Sequence, residues 1–236
     1  MLNIVKLVSY TQPNDDFEVK LENITDLIAY AAKVSNPANQ SNKKTNSRLI
    51  SYLIKHKHWS PFEMVDVCLE IETTRDIAHQ MVRHRSFSFQ EFSQRYANPK
   101  EMGDMFVKRE CRLQDHENRQ NSIEIETDPS LVQNISHQEL IAEWNRRQSG
   151  VIETARKAYD WAIENGIAKE QARAILPEGN TPSRLYMQGS IRSWIHYIDL
   201  RSANGTQKEH MDLALGAKRI FCEQFPAVAE AMEWVS

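Results

Sequence analysis

Apolar residues recur along this chain with two spacings: every second residue in a few short stretches, and every third or fourth in several longer ones. The first spacing marks a strand with one buried face, the second a helix with one apolar side. In 64–72, Val65, Val67, Leu69 and Ile71 alternate with Asp66, Cys68, Glu70 and Glu72, which predicts a half-buried strand. Residues 2–9, rich in β-branched and apolar side chains, predict an opening strand, and 184–190 predict a short later one. Helical spacing predicts helices over 25–35, capped by Asn23 or Thr25; over 47–56, through Leu49, Ile50, Leu53 and Ile54; and over 75–84, capped by Thr73 or Thr74. A long helix is expected from Ser130 or Ser136 to Asn165, with Gly166 as terminator, and another over 168–176, stopped by Pro177. Two more are expected over 191–200 and 207–225, with Asn204-Gly205 as the break between them.

Strands early and long helices later predict an α+β domain with a β-sheet core. The most polar stretch, 112–130, ends in Asp128-Pro129-Ser130 and predicts an insertion loop, not a linker. The expectation is therefore a single domain over 1–236. With 41% hydrophobic and 26% charged residues, the chain has the composition of an ordinary globular protein. A net charge of −3 lacks the basic footprint of a protein that coats nucleic acid, so no nucleic-acid partner is expected. Three scattered cysteines, Cys68, Cys111 and Cys222, form no C-x-x-C pair, which argues against a disulfide framework and against a metal site. Cys68 is expected to be an inert surface or edge residue. There is no cleavable apolar leader and no apolar run of about 18 residues, so a cytoplasmic protein without a membrane span is expected.

The chemistry concentrates in 83–96, where fourteen residues hold three arginines, three serines, a histidine and a carboxylate. Guanidinium forks, hydroxyls and backbone amides suit a phosphate or carboxylate. A charged run is usually a solvated face. Here Phe87, Phe89, Phe92 and Tyr96 are interleaved with the charges, which predicts apolar anchoring around an anion site. The segment shows no clean period and is expected to be a loop following the 75–84 helix, on which Gln80, Arg83 and His84 share a face.

The motif Arg83-His84-Arg85, seven residues, Ser93, then x-Arg95-Tyr96 resembles the signature of the flavin-dependent thymidylate synthases. Upstream, His58-Trp59-Ser60-Pro61-Phe62-Glu63 resembles a second block of that family. Downstream, Glu170-x-x-Arg173-x-x-Leu176-Pro177 and Asp199-Leu200-Arg201 with Gln207 and Glu209 resemble two more, in family order over 56–210. The resemblance implies that family's fold and a homotetramer. It implies reductive methylation of dUMP to dTMP, with methylenetetrahydrofolate as carbon donor and NADPH as reductant through FAD. It assigns Gln80, Arg83, Glu91, Ser93, Arg95 and Arg173 to the pyrimidine nucleotide and Arg201 to the base edge, as the activating residue. For FAD it implies Ser60, Arg83, His84, Arg85, Glu91, Ser190, Arg192 and His196, with His58 beside the folate and flavin. Taken singly, Ser190 reads as a helix cap, His196 as a satisfied polar residue and Arg192 as a surface arginine.

Three positions depart from the family pattern: Met64 where histidine is common, and Gln90 and Ser190 where asparagine is common. There is no G-x-G-x-x-G among only seven glycines, so a Rossmann-type site is not expected and flavin is expected to be held by arginine and histidine side chains, at an interface between subunits as the resemblance to a homotetrameric family implies. No cysteine matches the unrelated synthases that attack the ring with a thiolate. Two alternatives stand beside this reading: a related enzyme that transfers a hydroxymethyl or other one-carbon unit to a pyrimidine nucleotide, and a non-catalytic nucleotide- or RNA-binding module built on 83–96.

Overall fold

The computed structural model describes residues 3–127, 132 and 135–234. Its centre is an antiparallel four-stranded sheet in the order β1 (Ile4–Tyr10), β2 (Asp66–Thr74), β6 (Pro182–Ser190), β3 (Ser88–Glu91). The alternation in β2 does what it predicts: Val67, Leu69 and Ile71 are buried while Asp66 is exposed and Glu70 and Glu72 are partly so. Leu185 and Met187 of β6 are buried on the same layer. Against this layer pack α6 (Ile191–Arg201) and α7 (Lys208–Gln224), which place Trp194, Ile195, Ile198, Leu213, Ala214, Ala217 and Phe221 in one core with α1 (Ile24–Ala32) and α2 (Asn46–Lys55). The Trp194 indole is fully buried, and its N–H donates to the Val67 carbonyl at 3.0 Å, so it brings no unpaired polar group into that core. This is the expected α+β arrangement.

A smaller core joins α4 (His137–Glu164) to α5 (Lys169–Ala172) and to Met105 and Phe106, through Ile152, Ala155, Tyr159, Ala162 and Leu176. Two helix caps follow the sequence, whereas Thr74, ahead of the helix that begins at Arg75, makes no side-chain cap and donates its hydroxyl to Asp76. Asn23 accepts from the Asp26 amide at 3.0 Å at the start of α1, and Ser136 with Glu139 forms a capping box at α4. The alternative start at Ser130, the Asp128-Pro129-Ser130 end of the polar stretch and Leu2 of the opening strand lie outside the described residues.

Several expectations need correction. The signature is not a loop throughout, because Ser88–Glu91 is strand β3, with Phe89 opposite Met187 and Gln90 opposite Tyr186 on β6. Four residues are too few to show a period, and pairing to a long neighbour supplies what local sequence does not. Helix α3 (Arg75–Met81) ends before Arg83 and His84, which lie in the turn beyond it. The polar stretch contains a hairpin, β4 (Arg112–Gln114) and β5 (Ser122–Glu124), with Leu113 opposite Ile123. The predicted helix over 168–176 is only α5 plus a 3-10 turn at Arg173–Ile175, and β6 is longer than expected because Pro182 can open a strand. A terminal helix, α8 (Pro226–Ala231), begins with proline at its first turn and was not legible from spacing. Cys68 sits on central strand β2, not an edge, and burial raises its thiol pKa.

Candidate functional site

Helix α6 carries two functional faces because residues four apart align on one side of a helix. Ser193, Tyr197 and Arg201 lie along one, Arg192 and His196 along the other. Ser190 caps the helix, accepting from the Ser193 amide at 3.3 Å, and the Ser193 hydroxyl donates to the Ser86 carbonyl at 3.2 Å, tying the signature turn to this helix. Gly189, just ahead of the cap, leaves room for that turn: a Cβ there would lie 2.5 Å from Cδ1 of Phe87. The Phe87 ring packs edge-on against Trp194 at 4.8 Å and Tyr197 at 5.9 Å. Of the aromatics expected to anchor the arginine segment, Phe87 and Phe89 pack against the core, whereas Tyr96 is 82% exposed and anchors nothing.

On the first face, Arg201 Nε donates to His84 Nε2 at 2.9 Å. The His84 ring stands edge-on to Tyr197 at 5.0 Å, and the Tyr197 hydroxyl lies 3.1 Å from Nε2 of His210. Nδ1 of His210 lies 3.3 Å from the Gln80 carbonyl oxygen, whose amide nitrogen donates to Gln207 at 2.8 Å. Both histidines are held neutral. Burial and then the Arg201 charge push His84 down to about 4, with Arg83 adding to it, and the same two causes push His210 down to about 3. Burial likewise raises the Tyr197 phenol.

These depressed values carry a stability consequence. The unfolded chain binds a proton at each histidine near pH 6.5, whereas the folded chain does so only near pH 4 and 3. The stabilisation is therefore fully present above about pH 6.5 and declines as the pH falls toward those folded values, with a limiting slope of about 1.4 kcal/mol per pH unit for one fully coupled proton. Calorimetric Tm measured from pH 7.5 to 5 is expected to fall, and to fall less steeply in His210→Gln. Equal slopes would show that His210 is not held neutral by the fold.

On the second face, Glu63 in the 3-10 turn Ser60–Met64 accepts from the Ser190 hydroxyl and from Arg192 Nη1 at 2.7 Å. Burial works to raise this carboxyl, but those two hydrogen bonds hold it below its ordinary value. His196 stacks edge-on with Trp59 at 4.8 Å. Ser60, Ser190, Arg192 and His196 are therefore brought to one place, with Glu63 as the organising carboxylate. His58 is exposed, and its ring neighbours are Tyr52 and His56.

Glu91, at the end of β3, accepts from Ser183 at 2.6 Å and Arg75 at 3.3 Å, both on Oε1. Its other oxygen has no partner among the described residues. Arg95 faces Glu170 at 3.6 Å, with both side chains more than half exposed, and the Tyr96 carbonyl accepts from Lys169, which places the signature's end beside α5 and Arg173. Arg83, Arg85 and Arg173 have no hydrogen-bonded or ion-pair partner among the described residues, and neither do the side chains of Ser60 and Ser93. The sequence-derived residues thus fall into a partly buried His84–Arg201 centre, a Glu63-centred group, and a set of open arginines, exposed at 83, 85 and 95 and half-buried at 173. Arg75, Ser183, Tyr197 and His210 were not marked by the motifs. Tyr197 had one available signal, its four-residue spacing from both Ser193 and Arg201.

A family model described as thymidylate synthase complementing protein matches residues 17–227. A probable flavin-dependent thymidylate synthase of Paramecium bursaria Chlorella virus 1 is 49% identical over 230 residues, covering 98% of this chain and 99% of the relative. A flavin-dependent thymidylate synthase of Synechocystis is 46% identical over 231 residues, with 98% and 99% covered. In fold, the chain is similar to the UMP/dUMP methylase PolB from Streptomyces cacaoi, solved with 5-Br dUMP, at a TM-score of 0.76 and 23% identity over 98% of this chain and 95% of that one. With a family model spanning most of its length and two near-full-length relatives, this chain belongs to the thymidylate synthase complementing protein family, the flavin-dependent thymidylate synthases.

Proposed function

We propose that the chain methylates dUMP to dTMP, with methylenetetrahydrofolate as carbon donor and NADPH as reductant through FAD, and that Arg201 activates the pyrimidine ring. The observation that carries this reading is the His84–Arg201 pair. Arg201 donates to a neutral acceptor through Nε alone, so its two Nη groups stay uncommitted among the described residues. A guanidinium held that way can meet negative charge as it develops on the ring, and interactions stronger in the transition state than in the ground state raise turnover.

Gln80, Arg83, Glu91, Ser93, Arg95 and Arg173 are assigned to the nucleotide, whose phosphate suits the unpaired guanidiniums of Arg83 and Arg173. The donor set also fits FAD: Arg83 and Arg85 are exposed and unpaired among the described residues, as a diphosphate requires, and Ser60, Ser190, Arg192 and His196 gather around Glu63. His84 and Glu91 complete that set, with His58 beside the folate and flavin. Once bound and reduced by NADPH, FAD would supply hydride. Arg192 comes to this role already oriented by Glu63. The departures at Met64, Gln90 and Ser190 alter contacts around that group and leave Arg201 untouched.

We assign residues 1–236 to one functional unit, since the motif blocks lie on both sides of the β4–β5 hairpin. A homotetramer accounts for the open arginines and for Trp144, Val151 and Trp161, which stand exposed on α4. We infer a cytoplasmic location, which the three free cysteines support. No described helix is long and apolar enough to cross a membrane. The test is the purified protein's absorption spectrum followed by product analysis with dUMP, methylenetetrahydrofolate and NADPH. A flavin spectrum and dTMP are expected. A hydroxymethylated product would favour the related transferase, and a colourless, inactive protein would favour the binding module.

A further inference from the structure

His210 is fully buried on α7, and no motif block includes it. It sits inside a chain of hydrogen bonds whose direction is set at one end. Glu209 accepts from Arg112 Nη2 at 2.6 Å and lies 3.3 Å from Arg109 Nη1. Burial works to raise this carboxyl, but the Arg112 hydrogen bond leads the contacts that hold it below its ordinary value. An ionised carboxylate only accepts, so the Gln207 amide nitrogen, 3.0 Å from Glu209 Oε2, must be the donor there. That turns the Gln207 oxygen to Gln80, which donates its own amide nitrogen at 2.8 Å. The Gln80 oxygen then faces Nδ1 of His210 at 3.3 Å, so Nδ1 carries the hydrogen, and Nε2 is left to accept from the Tyr197 hydroxyl at 3.1 Å. Each group in the series can play only one part.

We propose that His210 is a positioning residue that, together with Gln207, holds the side-chain amide of Gln80 in one orientation, so that Gln80 presents its donor and acceptor to the pyrimidine in a fixed order. This rests on the reading that Gln80 contacts the nucleotide, and it sets that contact at the base because the His210 ring lies 6.2 Å from His84, the partner of Arg201. Gln80 keeps a second N–H and a second lone pair after these contacts. Uracil offers a ring N–H beside a carbonyl, whereas cytosine offers a bare ring nitrogen beside an amino group, the opposite order of donor and acceptor. A locked amide selects between them; one free to turn over does not.

The test measures binding of dUMP and of dCMP to the flavin-loaded enzyme in four forms: wild type, His210→Leu, His210→Asn and Gln80→Ala. His210→Leu loses both ring nitrogens and is expected to weaken dUMP binding by roughly tenfold and to lower the dUMP-to-dCMP selectivity, with flavin content unchanged. His210→Asn keeps a donor near the place of Nδ1 and is expected to recover most of that loss. A general packing defect would not move the selectivity ratio or respond to the asparagine. Should His210→Leu fail to fold, Tyr197→Phe carries the test: without the hydroxyl the ring can shift its hydrogen to Nε2 and release Gln80, for a selectivity loss of about threefold. Unchanged affinity and selectivity in His210→Leu, or in Tyr197→Phe where that stands in, overturn the proposal if Gln80→Ala weakens dUMP binding. A silent Gln80→Ala removes Gln80 from the nucleotide, and the proposal falls with that reading.

Discussion

Arg201→Ala is expected to lose on the order of a hundredfold or more in nucleotide methylation while keeping bound FAD and NADPH-driven flavin reduction. The competing account makes Arg201 one half of a surface salt bridge, worth roughly 0 to 1 kcal/mol, so that its removal would barely matter. The structure gives that account no partner. Among the described residues Arg201 faces no carboxylate and donates only to His84 Nε2 at 2.9 Å. Its charge instead falls on groups that it depresses, His84 and His210. A cation left without a counter-ion beside two neutral histidines is what the proposed role requires, since the charge it would meet is present only during the reaction. Arg201→Lys keeps the charge but loses the Nε donor and the planar fork, so it is expected to recover only part of the activity. Steady-state turnover with flavin-reoxidation kinetics decides the matter, and near-wild-type methylation in Arg201→Ala would return the residue to a structural role.

The second large effect is expected at Arg83. Replacing it with alanine should weaken dUMP binding by about ten- to hundredfold and lower FAD retention, because charge-assisted hydrogen bonds contribute about 1.5 to 3 kcal/mol each. Arg83 is exposed and has no internal partner among the described residues, so its loss should cost the free fold little. That separates the binding effect from a stability effect: Tm of the flavin-free protein should stay close to wild type while ligand affinity falls. Unchanged flavin content together with unchanged nucleotide affinity would take Arg83 out of the site.

The turn that holds Arg83 also shows how far local sequence reaches. The cluster of arginine, serine and aromatic residues was legible in 83–96 because its composition fits neither a core nor a solvated face. Its conformation was not. Ser88–Glu91 becomes a strand only by pairing with β6, nearly a hundred residues later, and Phe87 settles over Gly189 because that position has no side chain. In the same way, the polar stretch over 112–130 carries a strand pair in which only Leu113 and Ile123 are apolar, too little for a period of two to stand out.

What the sequence determined by itself was the set of local choices: the half-buried alternation of β2, the capped starts of α1 and α4, the breaks at Gly166, Pro177 and Asn204-Gly205, and the four motif blocks with their chemistry. These depend on residues within one or two turns of each other, which is the range over which backbone sterics, capping and amphipathic spacing act. The tertiary structure alone decided which of those residues meet. It split α6 into an Arg192–His196 side and a Tyr197–Arg201 side, committed Glu63 to Ser190 and Arg192, and brought His84, Arg201, Tyr197, His210 and Gln80 together from α3, the signature turn, α6 and α7. A lone histidine on a helix has no mark in sequence, because its neutrality and its hydrogen's position are set by burial and by partners far along the chain, and only folding supplies both.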